Sequence, residues 1–335
     1  MENECKPPSR IPRRIAFTVC LLIVIVSVIS NIALSVAIWT DRNLRMRFNI
    51  LLLLFCISNG VLSIVSTLEL VSIMNGTWVT GSLGCKIYAF SSELLIAFSV
   101  CIVLMMCFDR YQLIFKGFDY KSTNLGILNI CLCFLVVTVV TIPHLFISGI
   151  SQWDCNKIKC VFPSSESGNV DSITWKMYYI TKSVLLIIVP IISISVLYAK
   201  IIMAFRSKKQ TGSYQTEHTV RQPKDSHFLD VNQNTASEPS TNRNTIVSNR
   251  CVVVKQTPRF TRGLVISIML ITAFIVLLTP FLALRMVQLF QKNVPHPVKA
   301  VTKLLFLLYL TVYPMIYAWM TPDVQKRLKT VFCTC

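Results

Sequence analysis

Seven separate apolar runs, each long enough to cross a lipid bilayer, govern what this chain can fold into. A spanning helix needs about 20 mainly apolar residues, because each residue advances about 1.5 Å through hydrocarbon about 30 Å thick. The runs fall at roughly 15–39, 49–74, 85–112, 124–147, 174–206, 261–290 and 298–320 of the 335 residues. Inside hydrocarbon, only a helix or a closed barrel pairs every backbone N–H and C=O, and runs of this length are helical. Composition agrees, with 53% of residues hydrophobic and 14% charged, against about a quarter charged in soluble proteins. An ordinary soluble enzyme is excluded. The expected fold class is an all-α membrane protein, a seven-transmembrane helix bundle.

The remaining segments fix the domain plan. Residues 1–14 form a polar tail before a bundle spanning 15–320. The first apolar run is too long for the core of a cleavable signal and reads as an uncleaved span. Residues 207–259 are rich in Ser, Thr, Asn and Gln, contain Pro223 and Pro239, and read as a disordered loop. Residues 321–335 begin with Thr321-Pro322-Asp323, a helix-start pattern. Val324, Leu328, Val331 and Phe332 then oppose Lys326, Arg327 and Lys329, as in a short amphipathic helix lying on an anionic leaflet.

Charge placement sets orientation and excludes one partner class. The net charge is +18, yet the basic residues gather at membrane edges, with no zinc-finger spacing, so nucleic acid is not an expected partner. With the C-terminus inside, inner segments hold 20 of the 33 basic residues and outer segments 13. Arg13 and Arg14 oppose that assignment, whereas the sequon Asn75-Gly76-Thr77 after the second span favours an outer N-terminus and a glycan on Asn75. A multi-pass plasma-membrane protein with its N-terminus extracellular is expected.

The thirteen cysteines divide by compartment. Cys20, Cys56, Cys101, Cys107, Cys131 and Cys133 lie within spans as small packing residues, and Cys251 lies in the long loop. Cys333 and Cys335 follow the surface helix as candidates for acylation. Cys5, Cys85, Cys155 and Cys160 face the oxidising side, where four cysteines allow three pairings. Cys85 is expected to tie the third span to the loop before the fifth, with Cys160 the favoured partner and Cys155 the alternative.

Polar residues embedded in spans are functional candidates by default, because hydrocarbon disfavours them. Asp109-Arg110-Tyr111 closes the third span, 24 residues after Cys85, and Trp78-x-x-Gly81 precedes that cysteine. Asn31 lies in the first span and Asn59 in the second, ten residues past Asn49. Pro190 and Tyr198 are eight apart in the fifth, Phe274 and Pro280 six apart in the sixth, and Tyr313-Pro314-Met315-Ile316-Tyr317 ends the seventh. This constellation resembles the rhodopsin-like (class A) G-protein-coupled receptors over nearly the whole chain. The resemblance implies an extracellular ligand, a heterotrimeric G-protein partner, no cofactor and no covalent chemistry. It assigns coupling and activation to Asp109, Arg110, Tyr111, Tyr198 and Tyr317, with helix kinks at Pro190, Pro280 and Pro314. Asp109 is expected to hold Arg110 while the bundle is closed, with both tyrosines approaching Arg110 once the sixth helix moves.

Departures from the family pattern mark a divergent member. Asn59 stands where relatives carry Asp and Tyr313 where they carry Asn, so the sodium site formed there with Asn31 and Ser99 loses its carboxylate, and no tight ion or other metal is expected. Leu278 and Cys133 stand near the usual tryptophans, and no acidic residue lies between Lys255 and Arg285 to hold Arg110. Ser92 replaces the Asp of amine receptors, leaving only Glu93 beside it, and Leu307 replaces the retinal-binding Lys. Monoamines are disfavoured and a retinal Schiff base is excluded. Lys182, Arg285 and Lys303 outnumber Glu69 and Glu93 in the outer bundle, which leans towards an anionic small molecule or peptide. The opposing reading pairs Glu69 with Lys303 inside the bundle. The competing functions are a divergent receptor that captures ligand without coupling or is constitutively active, and a seven-helix transporter, for which the midplane lacks a carboxylate.

Overall fold

The structure is a computed structural model that describes residues 10–44, 47–116, 123–153, 157–161, 172–219, 258–290 and 294–333. Seven helical spans pack into one bundle. The first three are α1 (Arg10–Thr40), α2 (Arg47–Asn75) and α3 (Gly81–Lys116). The fourth is α4 (Thr123–Thr141), continued after a break by α5 (Pro143–Ile147). The fifth comprises α6 (Ser172–Ser183), a π-helical turn (Val184–Ile188) and α7 (Val189–Thr219). The last two are α8 (Pro258–Phe290) and α9 (His296–Met320), followed by the short α10 (Pro322–Cys333). All seven are long and apolar enough to cross a membrane.

Large aliphatic side chains cover the outside of the bundle, including Ile29, Ile32, Leu132, Leu135, Ile192 and Val276. The interior also buries aliphatics such as Leu34, Ile38 and Leu52, and adds aromatic and small polar residues, among them Phe55, Phe274, Tyr309, Asn31, Asn59 and Ser99. Aliphatics on both sides suit a lipid-facing surface, since lipid tails are as apolar as leucine and drive no burial of it.

The prolines of the spans fall at a helix start, after a π turn and inside two helices. Pro143 starts α5 and separates it from α4. Pro190 follows the π turn, in which the Val189 N–H reaches back five residues to Val184 O. Pro280 and Pro314 sit inside α8 and α9. A helical proline leaves the carbonyl four residues earlier without its N–H. For Pro314 that carbonyl is Leu310 O, and Asn31 Nδ2 of α1 donates to it at 2.9 Å.

A two-stranded hairpin, β1 (Gly149–Trp153) and β2 (Lys157–Val161), lies between the fourth and fifth spans, pairing Ile150 with Cys160 and Gln152 with Ile158. The Cys85–Cys160 disulfide fastens it to α3. Cys155, the alternative partner, lies outside the described residues, as do Cys5, Cys251 and Cys335. Backbone bonds fasten the hairpin further: Trp78 N–H donates to Ile158 O at 2.7 Å, and Thr77 Oγ1 accepts from Ile158 N–H at 3.0 Å. Trp78, Cys85 and Tyr88 form a separate buried cluster beneath it.

Two features depart from the sequence expectations. No strand was expected in this chain. The segment from Ser207 to Thr219 is helical rather than disordered, because α7 runs on to Thr219. Its Lys, Gln and Glu residues form helix readily and the next proline is Pro223. The remainder of the expected loop, 220–257, lies outside the described residues. At the other end, α10 seats Val324 in the core, donates Gln325 Nε2 to Trp319 O at 2.6 Å, and exposes Lys326 and Lys329.

The hairpin's attachment generates a test. Cys160→Ser should sharply lower the amount of protein at the cell surface, because β2 then loses its covalent tie to α3. Peptide mapping of the wild type without reduction should recover Cys85 joined to Cys160; recovery of Cys85 joined to Cys155 would refute the pairing.

Candidate functional site

Five charged side chains gather in the half of the bundle nearest the disulfide. Glu93 of α3 accepts from Lys182 Nζ of α6 at 2.8 Å through Oε2, and from Arg285 Nη1 of α8 at 3.3 Å through Oε1. Lys182 is only 3% exposed. Its Nζ also lies 2.9 Å from His144 Nε2 of α5 and 4.4 Å from the centre of the Tyr179 ring. An ammonium only donates, so Nε2 accepts and the imidazole carries its proton on Nδ1. In the second pair, Lys303 Nζ of α9 donates to Glu69 Oε2 of α2, and the same oxygen accepts from the Tyr88 hydroxyl at 2.5 Å.

The guanidinium of Arg285 lies 5.2 Å from the Phe281 ring centre and Lys303 Nζ lies 5.1 Å from that of Phe306, the two rings stacking at 4.4 Å. Attraction of a cation to an aromatic face adds to each ion pair. Ser92 is buried and returns its hydroxyl to Ala89 O at 3.1 Å, within its own helix. Three cations against two carboxylates leave this group at +1, and the surplus falls on Glu93, which holds two cations.

The bundle's middle is neutral and tightly packed. Phe306, Tyr309, Tyr313 and Phe55 form a continuous aromatic column, with Tyr313 4.4 Å from Phe55 and 5.8 Å from Tyr309. Phe274 joins it edge-on to Tyr309. Beside the column, Ser99 Oγ donates to Asn59 Oδ1 at 3.1 Å and meets Ser58 Oγ at 3.2 Å, while Asn31 serves Ser27 O and Leu310 O. Asn31 and Asn59 thus join helices, while Asn31 Oδ1, Asn59 Nδ2 and the Tyr313 hydroxyl are buried without partners.

At the opposite end, Arg110 lies over the Phe48 ring of α2, 3.8 Å from its centre. Among the described residues Asp109 and Arg110 form no ion pair within hydrogen-bonding reach, and the contact that holds the guanidinium is cation–π. Asp109 is half-buried beside it. Tyr317 donates to Asn49 Oδ1 at 2.6 Å, joining α9 to α2, and Tyr198 shares a 2.9 Å hydrogen bond with Thr272, joining α7 to α8. Tyr111 stacks near Phe115 and lies 5.8 Å from Lys200 Nζ. A small, largely apolar cavity lies just inside, lined by Phe48, Val103, Met106, Ser267, Leu270, Ile271 and Tyr313.

The structure therefore brings Glu69 together with Lys303, and Glu93 with Lys182 and Arg285, rather than presenting the three cations as separate anion receptors. Of the residues gathered at the two ends, the sequence singled out none of His144, Tyr179, Tyr88 or Phe48. His144 and Lys182 are 38 positions apart, so no local spacing announces their contact. Asn75 ends α2 and donates its own Nδ2 to Val71 O at 3.0 Å. Cys333 is the last residue of α10.

Comparison with known proteins agrees with this architecture. Residues 30–317 match the family described as 7 transmembrane receptor (rhodopsin family). The chain is 27% identical over 197 residues to Melatonin receptor type 1A of Phodopus sungorus, covering 58% of this chain and 53% of that one. It is 24% identical over 233 residues to Alpha-2 adrenergic receptor of Carassius auratus, covering 68% and 50%. It is 21% identical over 215 residues to Dopamine receptor 2 of Caenorhabditis elegans, covering 62% and 24%. The matches span about half or less of the length of these relatives. The chain belongs to the rhodopsin family of seven-transmembrane receptors; such proteins are receptors, not enzymes.

The second ion pair sets a prediction. Lys303→Gln should destabilise the protein by about 2 kcal/mol, below the usual 3–5 for breaking a buried pair, because Glu69 keeps Tyr88 and is 33% exposed. Glu69→Gln in the same chain should restore most of the loss. Thermal unfolding of both variants in detergent decides the matter, and equal stability of Lys303→Gln and wild type would show that the pair contributes nothing.

Proposed function

For a member of the rhodopsin receptor family, we propose that the Glu93 cluster binds an extracellular ligand bearing a negative charge and that binding activates a heterotrimeric G-protein. In this reading the hairpin end faces outwards, with the N-terminus extracellular and a glycan on Asn75, and the Arg110 end meets the G-protein at the plasma membrane. The basic face of α10 rests on the inner leaflet, and acylation of Cys333 and Cys335 anchors the chain there.

The observation that carries the ligand class is the double cation on Glu93. A ligand carboxylate or phosphate that draws Arg285 away leaves Glu93 still paired with Lys182. Arg285 then exchanges one anion for another, so no charge is stranded in a site of low dielectric. Lys303 has no such freedom, since releasing it leaves Glu69 with Tyr88 alone. A protonated amine meets the reverse situation: both carboxylates already hold cations, and Ser92 offers none. The names of the amine-receptor relatives are therefore not carried over to this chain.

Drawing Arg285 from Glu93 also uncouples α8 from α3 at the outer end. Helix α8 is continuous from Pro258 to Phe290, with Pro280 five residues before Arg285. Its inner end passes Arg110 at Gly263, where an added Cβ would lie 3.9 Å from Arg110 Nη1. Ligand capture at one end is thereby linked to the clearance around Arg110 at the other. A second reading, a receptor active without ligand, is favoured by one observation: the contact holding Arg110 is an aromatic face rather than a carboxylate.

Second-messenger assays in transfected cells, run first without ligand, separate these readings, since substantial basal signal belongs to the second. Arg110→Ala should leave surface expression intact and abolish nucleotide exchange; exchange at the wild-type rate would refute the coupling role. In a ligand screen divided by charge, anionic compounds should supply the activators. Arg285→Gln should weaken them by about 2–5 kcal/mol, the range for removing one partner of a buried charge pair. Activation by cations alone, with Arg285→Gln harmless, would overturn the assignment.

A further inference from the structure

Two successive residues at the start of α2 hold side chains from two other helices. Phe48 is buried and offers its ring to the Arg110 guanidinium of α3, 3.8 Å from the ring centre. The same ring lies 6.3 Å from that of Tyr317 of α9. Asn49, the next residue, accepts from the Tyr317 hydroxyl at 2.6 Å and donates Nδ2 to Leu44 O at 2.7 Å. The bond to Leu44 ties the first turn of α2 to the chain before it, so both side chains project from a fixed base.

Helix α8 supplies no such hold. It passes Arg110 at Gly263, where an added Cβ would stand 3.9 Å from Nη1, and no Asp or Glu lies between Lys255 and Arg285. Displacing α8 therefore leaves the contact between Arg110 and Phe48 in place. The guanidinium is also incompletely satisfied, since its Nε is buried with no hydrogen-bond partner among the described residues. Five N–H donors call for acceptor atoms, whereas an aromatic face attracts the charge without accepting in that way. The ring, for its part, has room to turn: Phe48 borders the cavity that Val103, Met106 and Tyr313 also line. A ring beside a void changes rotamer against less resistance than one in a close-packed core.

We propose that Phe48 is the resting restraint on Arg110: its ring withholds the guanidinium from the G-protein until the ring turns into the cavity. The quiet state is then set by α2 rather than by closure of α8. Phe48 is a positioning residue, because it acts only through Arg110. The proposal rests on the coupling role of Arg110 and names what regulates it.

The test uses the full-length protein in lipid nanodiscs, without ligand, and reads nucleotide exchange on purified heterotrimers together with the unfolding temperature. Phe48→Leu keeps an apolar side chain but removes the ring face. It should raise exchange about fivefold, the population shift for losing one contact of this kind. Phenylalanines carrying one, two and three fluorines at position 48 keep the ring's shape while weakening its negative face in steps. Exchange should climb in the same steps, and this series decides the matter even if Phe48→Leu folds poorly. A merely structural ring responds to its removal and not to the number of fluorines. Exchange that stays flat across the series overturns the proposal, whatever the unfolding temperature does. A Phe48→Leu rate at or below wild type, with Arg110→Ala still abolishing exchange, overturns the restraint and leaves the coupling role standing. Exchange by Arg110→Ala at the wild-type rate, or silence of every form on every heterotrimer, refutes both.

Discussion

Hydrocarbon offers no hydrogen bonds, and the organisation of this bundle follows from that denial. Each span is helical because only a helix of this length satisfies its own backbone. Where Pro314 breaks the ladder, Leu310 O is taken up by Asn31 from a neighbouring helix, so a local defect in α9 becomes a bond between the first and seventh spans. Where Glu69 and Glu93 enter the bundle, each meets a cation from another helix. Glu69 joins α2 to α9, and Glu93 joins α3 to both α6 and α8. Aliphatic burial cannot select partners in such a solvent, so polar groups and aromatic shapes do the selecting.

How much of this was legible in the sequence depends on the range of the signal. The seven spans were legible because each is a contiguous apolar run, and the amphipathic α10 because its stripe repeats over three turns. Cys85 with Cys160 was legible down to two alternatives, since few cysteines lie outside the spans. The hairpin from Gly149 to Val161 was not, because its short alternation lies in a polar loop and its register depends on bonds to Thr77 and Trp78, more than 70 residues away. The continuation of α7 to Thr219 was hidden by composition, as Ser, Thr and Gln serve loops and exposed helices alike.

The charged site shows the same division. Counting gave an excess of cations over carboxylates, and the pairing of Glu69 with Lys303 was one of two arrangements open to the sequence. Counting could not reveal that Glu93 carries the surplus, nor that His144 would press against Lys182. Those facts depend on how α5 and α6 lean together, which no spacing within either segment encodes. At the other end, the residue types expected around Arg110 are present, but the Phe48 ring rather than Asp109 receives it. An aromatic face holds a guanidinium less directionally than a carboxylate does.

The apolar cavity between Phe48, Val103, Met106, Leu270, Ile271 and Tyr313 gives the inner end a mechanical property. Its lining comes from α2, α3, α8 and α9, so any displacement of α8 changes the void's size. Among the described residues no hydrogen bond joins these side chains to one another, so α8 meets α2, α3 and α9 there by van der Waals contact alone, which a sliding helix gives up gradually rather than all at once.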